Sequence, residues 1–471
     1  MRVGIIGAGP AGITAAYRLA KSGVDVEVFE AAPQVGGLAR SINLWNQTVD
    51  IGPHRFFSRD RRVNELWLEV VGTNYRMVDR LTRIYYKDRF YDYPLRPLNV
   101  FQNLGPVEVA RCIFSYLGER MNPSAGDCDS FEDWVVSRFG RRLFEIFFKT
   151  YSEKLWGISC QDLDAAFAAQ RINKFSLVEA IKSALRVGRA QHKTLVESFA
   201  YPLGGTGSVY QSMAQSVTAS GGVMHLASPI VGIVREGNRV VALKTREQTH
   251  FFDQTVSTMP LTLLVKGLDP PEPVKEAASK LTFRNTIIVF LNVEGTSLFP
   301  DQWLYVHSSD LRLGRLTNFR NWVPELFGDE KTTILAAEFW CYPEDDIWTF
   351  PDDQLIALAK RELASTGLVP HRSALNGHVE RLPRCYPVYA RGYRNHVRVL
   401  SDFVDSFENL LAIGRYGAFK YNNQDHSILM GILAAQNVAE GTCHNLWEVN
   451  ADSEYQEATL ISATGLESTG E

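Results

Sequence analysis

The chain has no apolar run long enough to cross a bilayer. Its longest, TIIVFLNV from Thr286 to Val293, falls well short of the ~20 residues a spanning helix needs. That excludes a spanning segment from expectation and leaves only peripheral membrane contact open. Cysteine is scarce too: six residues, at 112, 128, 160, 341, 385 and 443, form no C-x-x-C pair and no spacing suited to zinc. Neither a disulfide framework nor a metal site is expected, and scattered reduced thiols suit a cytoplasmic protein. Excess charge is also missing, since 49 Lys and Arg stand against 53 Asp and Glu for a net −4. Nucleic-acid binding is therefore not expected, and any hold on a phosphorylated ligand must come from a local group of arginines. There is no internal repeat and no signal-peptide pattern, because the first strand begins at residue 2. The 471 residues, 45% hydrophobic and 22% charged, fit two or three globular domains. Oligomeric state is not legible.

The most informative stretch is RVGIIGAGPAGITAAYRLAKSGVDVEVFE, from Arg2 to Glu30. An apolar run, Gly7, Gly9 and Gly12 in G-x-G-x-x-G spacing, a helical pattern and a second apolar run ending in Glu30 read as strand, tight turn, helix, strand. The glycines let backbone approach a pyrophosphate, the helix N-terminus supplies amide donors, and Glu30 stands where ribose hydroxyls need an acceptor. The implied ligand is a dinucleotide. Gly36, Gly37 and Arg40 in EAAPQVGGLAR bring a second backbone segment to the phosphates. This extended pattern resembles the flavin-binding start of the superfamily that contains amine oxidases, protoporphyrinogen oxidases and UDP-galactopyranose mutases. The resemblance implies FAD.

Farther along, DIGPHRFF supplies Gly52 and His54 in a Gly-Pro turn, and TRIYYKDRF reads as two strands joined at Lys87-Asp88. The Pro-rich and aromatic run YDYPLRPLNVFQNLG reads as an ordered loop, and residues 106–190 carry helical periodicity. Strand signals TIIVFLNV, WLYV, GRLTNF and TILAAEFW then follow in succession. The expected fold is α/β: a Rossmann-type FAD-binding domain (1–80, 200–270 and 400–448) interleaved with a mixed or antiparallel sheet domain (81–105 and 271–399), a helical insertion (106–199), and a frayed polar tail (449–471).

The run LAIGRYGAFKYNNQDHSILMG, from Leu411 to Gly431, places Gly414 and Arg415 before a helix start, suited to a second flavin contact with Asn423, Gln424 and Ser427. It closely resembles the corresponding stretch of UDP-galactopyranose mutases. Residues 139–171 with their Tyr, Lys and Trp, the segment 303–324, and Tyr386-Pro387 agree with that family in order and spacing. The resemblance implies Arg171 and Arg315 as two cations gripping a substrate diphosphate, a task suited to planar guanidinium groups. It further implies that Tyr386, Tyr421 and Asn423 hydrogen-bond phosphates and sugar, with His54 beside the flavin N5 and O4 region. Asn423 reads equally well as a polar residue at a helix N-terminus. Trp322 and Glu325 depart from the family's aromatic pattern, which leaves sugar and base undefined.

By that resemblance the chain would be an isomerase. Reduced FAD would interconvert pyranose and furanose rings of a nucleoside-diphosphate sugar through an adduct at flavin N5, with NAD(P)H as a possible reductant. The alternative is an FAD-dependent oxidase or desaturase of the amine oxidase or protoporphyrinogen oxidase type, built on the same signatures but transferring hydride from an apolar substrate. A flavin-bound, non-catalytic subunit is a third reading.

Overall fold

The protein's computed structural model describes residues 1–121, 129–166, 198–369, 374–450 and 460–466. A parallel five-stranded sheet forms around β1 (Arg2–Ile6) in the order Leu410–Ala412, Gln254–Ser257, β1, β2 (Asp25–Phe29), Val223–His225. Val3 and Ile5 of β1 are wholly buried, as expected of a parallel strand covered on both faces. The strand 254–257 pairs directly with β1, so the chain returns to the nucleotide sheet there. Helix α1 (Pro10–Lys21) follows β1 and buries Ala11, Ala15 and Ala16. These small residues admit a close neighbour, the helix Gln424–Ala439. At its Gly431 an added Cβ would lie 2.5 Å from the Ala11 carbonyl oxygen.

The second large sheet has seven strands in the order Ala374–Pro387, Phe283–Glu294, Thr332–Cys341, Arg315–Asn318, Trp303–Val306, Thr82–Tyr86, Arg89–Asp92. It is mixed, because 303–306 and 82–86 run parallel while its other pairings are antiparallel. The alternating faces of Phe283–Glu294 enter two different cores. Ile287, Val289 and Leu291 pack with Leu355 and Leu363 of the helix Asp352–Ser365, whereas Ile288 and Phe290 share a core with Ile6 and Phe29 of the nucleotide sheet. The hairpin turn falls at Lys87 and Asp88, both at positive φ (49° and 59°), the backbone of a type I′ turn. The α/β class and mixed second sheet match expectation.

Two local expectations are corrected. Within the Pro-rich run expected to be a loop, Pro97–Leu104 is a helix; a proline at the first helical position costs no hydrogen bond and presets φ. In the polar tail, residues 460–466 are ordered. Ile461 is buried, and Tyr75 Oη donates to the Ser462 carbonyl at 2.7 Å. Residues 451–459 and 467–471 of that tail, and residues 122–128 and 167–197 of the expected helical insertion, lie outside the described residues. Among the described residues, no helix is long and apolar enough to cross a membrane.

Candidate active site: a cavity between two sheets

One cavity of about 950 Å³ is walled by the C-terminal ends of β1 and β2 on one side and by the seven-stranded sheet on the other. At its nucleotide end the chain turns at Gly7 (φ +93°). Gly12 sits so close below that a Cβ there would fall 2.0 Å from the Gly7 carbonyl oxygen, and a Cβ on Gly37 would meet the Gly9 Cα at 3.0 Å. Helix α1 starts at this point with Gly9 as N-cap and no side-chain cap, leaving first-turn amides and the positive dipole end for an anion. Glu30 lies on the same wall. Its carboxylate accepts from Ala8 N–H at 2.7 Å and Ala32 N–H at 2.9 Å, and each oxygen keeps lone pairs for ribose hydroxyls. The cradle fits a dinucleotide.

Toward the middle of the cavity the turn Gly52-Pro53-His54 meets the segment from Gly414 to Ser427. His54 is half-buried, and its buried Nδ1 has no hydrogen-bond partner among the described residues. Burial, joined by the nearby charges of Arg315 and Arg415, pushes its pKa down to about 3, so the ring is neutral and able to donate or accept toward a flavin. Gly414 takes φ +84° and approaches α1 so closely that a Cβ would meet Ala11 Cβ at 3.0 Å. These features fit an isoalloxazine whose dinucleotide tail lies on α1.

At the far end are two arginines and two tyrosines. Arg315, on an inner strand, makes a paired hydrogen bond to Glu338 on the adjacent strand at 2.7 and 2.6 Å. Its Nη2 also donates to Tyr386 Oη at 3.4 Å. The cross-strand register sets Arg315 opposite Glu338, and both face the cavity. Arg415 donates to the Cys385 and Asn422 carbonyls, each at 2.9 Å, and its guanidinium lies 4.4 Å from the Tyr421 ring centroid and 4.9 Å from that of Tyr386. Tyr386 and Tyr421 stack at 5.6 Å. Tyr151, Trp156 and Trp303 complete an aromatic wall, and Tyr151 stacks on His307 at 4.8 Å.

Of the residues singled out from sequence, the cavity brings together Gly7, Gly9, Glu30, Gly37, Gly52, His54, Arg315, Tyr386, Gly414, Arg415, Tyr421, Asn423, Gln424 and Ser427. Gly12 lies behind them as packing. Arg40 points elsewhere, donating to Gly37 carbonyl and Glu380 at 3.2 Å each. Asn423 caps the helix Gln424–Ala439 in a reciprocal box with His426, and Gln424 accepts from Tyr210 Oη at 2.6 Å; both are committed to the fold. Lys154, in the segment that resembled the mutases, is half-buried and donates to the carbonyls of Val306, Ser308 and Leu313. Trp322 is buried against Phe199 and Tyr201. Arg171 lies outside the described residues. Sequence reasoning missed Glu338, Arg55 and Arg80, which line the cavity; for Glu338 the only signal was strand register, which a single sequence does not display.

The profile of flavin-containing amine oxidoreductases matches residues 10–439. A coproporphyrinogen III oxidase of Staphylococcus aureus is 21% identical over 93% of this chain and 98% of its own. A Klebsiella pneumoniae protein named "probable UDP-galactopyranose mutase" is 28% identical over 34% of this chain and 42% of its own. Among solved structures, a reduced UDP-galactopyranose mutase superposes with a TM-score of 0.83 over 96% of this chain and 98% of that one, at 22% identity. With a nucleotide cradle of this shape and a family match over nearly its whole length, the chain belongs to the flavin-containing amine oxidoreductase family and is a flavin-dependent enzyme.

Proposed function

We propose that the protein is a redox-neutral mutase acting on a nucleoside-diphosphate sugar, with FAD in its reduced state. One observation carries this reading: two guanidinium groups, Arg315 with its partner Glu338 and Arg415 over the rings of Tyr386 and Tyr421, line the reacting end of the cavity. Guanidinium and phenol donors converging on one end of a cavity suit an anionic group such as a diphosphate. FAD held in its reduced state by the α1 cradle and the Gly414–Ser427 segment would supply the nucleophile for the anomeric carbon. The chain's own residues then act on the leaving group and on solvent. Arg315, kept charged and oriented by Glu338, and the Tyr386 hydroxyl beside it stabilise negative charge on a departing diphosphate. Neutral His54 hydrogen-bonds the flavin edge without adding charge. Tyr151, Trp156 and Tyr421 stack on sugar and base and exclude water. The proposed site set adds Arg171 as a second cation on the diphosphate.

The test incubates dithionite- or NAD(P)H-reduced protein anaerobically with UDP-galactopyranose and UDP-galactofuranose and separates the products chromatographically. Interconversion by the reduced form alone is expected. No conversion, together with oxygen consumption on coproporphyrinogen III, would establish the oxidase reading instead. That second reading is favoured by the relative matched over 98% of its length.

A further inference from the structure

We infer that Glu27, His225 and His250 form a binding site for one divalent transition-metal ion of the zinc class, outside the flavin cavity at the edge of the nucleotide sheet. Glu27 lies on β2, His225 on the edge strand paired with it, and His250 on the strand Thr249–Phe251 of the neighbouring antiparallel sheet. Glu27 Oε2 is 3.0 Å from His225 Nε2 and 3.2 Å from His250 Nδ1, and the three donor atoms lie within 4.8 Å of one another. Tetrahedral bonds of about 2.0–2.2 Å to zinc place neighbouring donors roughly 3.3–3.6 Å apart, so the two carboxylate-imidazole separations need only widen by a few tenths of an ångström, with a rotation of the rings to bring the imidazole donors together.

The surroundings orient these donors. Phe29 stacks flat on the His225 ring (4.6 Å, 8°) and edge-on against that of His250 (4.7 Å, 70°). Arg2 ion-pairs with Glu27 Oε1, leaving Oε2 to both imidazoles, an outer contact of the sort that aims metal-bound carboxylates. Without metal, ring nitrogens of His225 and His250 face Glu27 Oε2; on binding, each would turn a nitrogen lone pair to the ion. The Arg2 side chain is half exposed and free to shift from an incoming cation. His225 is partly exposed and His250 and Glu27 buried, which gives an entry path and room for water as a fourth ligand. Two histidines and one carboxylate with an open position suit zinc, nickel or copper rather than calcium or magnesium. The ion would clamp the antiparallel sheet to β2, three residues before Glu30.

The experiment uses FAD-loaded, EDTA-treated and dialysed protein titrated with ZnCl2 by calorimetry, with the thermal midpoint recorded in parallel. One equivalent bound at micromolar or tighter affinity, with a Tm rise of a few degrees, is the expected result. His225→Gln and His250→Gln, checked for unchanged flavin absorbance, should each weaken that binding at least tenfold. X-ray absorption on the zinc-loaded wild type should show two imidazoles in the coordination shell, a readout independent of whether the variants fold. No stoichiometric binding, an unchanged isotherm in both variants, or a shell with fewer than two imidazoles would overturn the proposal.

Discussion

At the scale of single residues, the cation expected to grip a diphosphate is already half of a buried ion pair. Arg315 and Glu338 have side chains 14% and 1% exposed. Removing one partner strands the other charge, at a cost of about 3–5 kcal/mol. Arg315→Ala should therefore lower stability by that order in urea melts as well as abolish turnover, while Arg315→Ala combined with Glu338→Gln should recover much of the stability and none of the activity. Equal stability of the two variants would refute the pairing. A second residue-scale effect concerns pH. Asp50 is buried, and burial lifts its pKa from 3.8 to about 6 despite hydrogen bonds from Ser41, Thr206 and Tyr201. A raised carboxyl pKa gives stability that is full below 3.8 and lost as pH rises through 6, whereas the depressed pKa of His54 gives stability that is lost as pH falls from 6.5 toward 3. Asp50→Asn should remove the first slope and leave the second, so that its melting temperature falls more steeply than that of the wild type on acidification from pH 6 to 4. Parallel curves would contradict the burial of Asp50 as the cause.

At the scale of elements, the glycine turn, α1 and the strands around Phe283–Glu294 were legible because local pattern alone reports them: a near-continuous apolar run in a strand buried on both faces, a glycine pattern between strand and helix, a polar hairpin tip. What stayed hidden depends on partners distant in the chain. Nothing within residues 460–466 announces that Ile461 fills a buried site or that Tyr75 Oη bonds the Ser462 carbonyl, and Glu338 becomes a site residue only through its register with Arg315. Likewise the Glu27, His225 and His250 cluster joins residues 198 and 223 positions apart, beyond any ligand-spacing motif. Deleting residues 451–471 should accordingly destabilise the protein, by roughly 1.5–3 kcal/mol for the loss of one buried isoleucine; an unchanged melting curve would show that hairpin to be dispensable. The close crossing at Gly431 makes a sharper prediction. Gly431→Ala drives a methyl group to 2.5 Å from the Ala11 carbonyl, and overpacking of this sort costs about 1–3 kcal/mol. Because α1 also carries the phosphate-binding turn, the variant should be purified with a visibly lower flavin-to-protein absorbance ratio.

At the scale of the whole molecule, two sheets of different kinds close on one cavity, and a single apolar core links them: Ile6 and Phe29 of the nucleotide sheet cluster with Ile288, Phe290 and Trp340 of the seven-stranded sheet. The flavin cradle belongs to the first sheet, whereas Arg315, Tyr386 and Trp303 belong to the second. A dinucleotide that reaches from α1 to that wall therefore contacts both, and its binding free energy is added to both. Unfolding should be one transition, not two. At FAD concentrations 100-fold above its dissociation constant the holoprotein should gain about 2.7 kcal/mol over the apoprotein. Flavin fluorescence, which reports the nucleotide cradle, and tryptophan fluorescence, which Trp303, Trp322 and Trp340 weight toward the other sheet, should then give coincident urea curves that move together when FAD is added. If the flavin left at a lower urea concentration than the tryptophans were exposed, the shared core would not couple the two sheets, and the substrate wall would have to be positioned independently of the cofactor it faces.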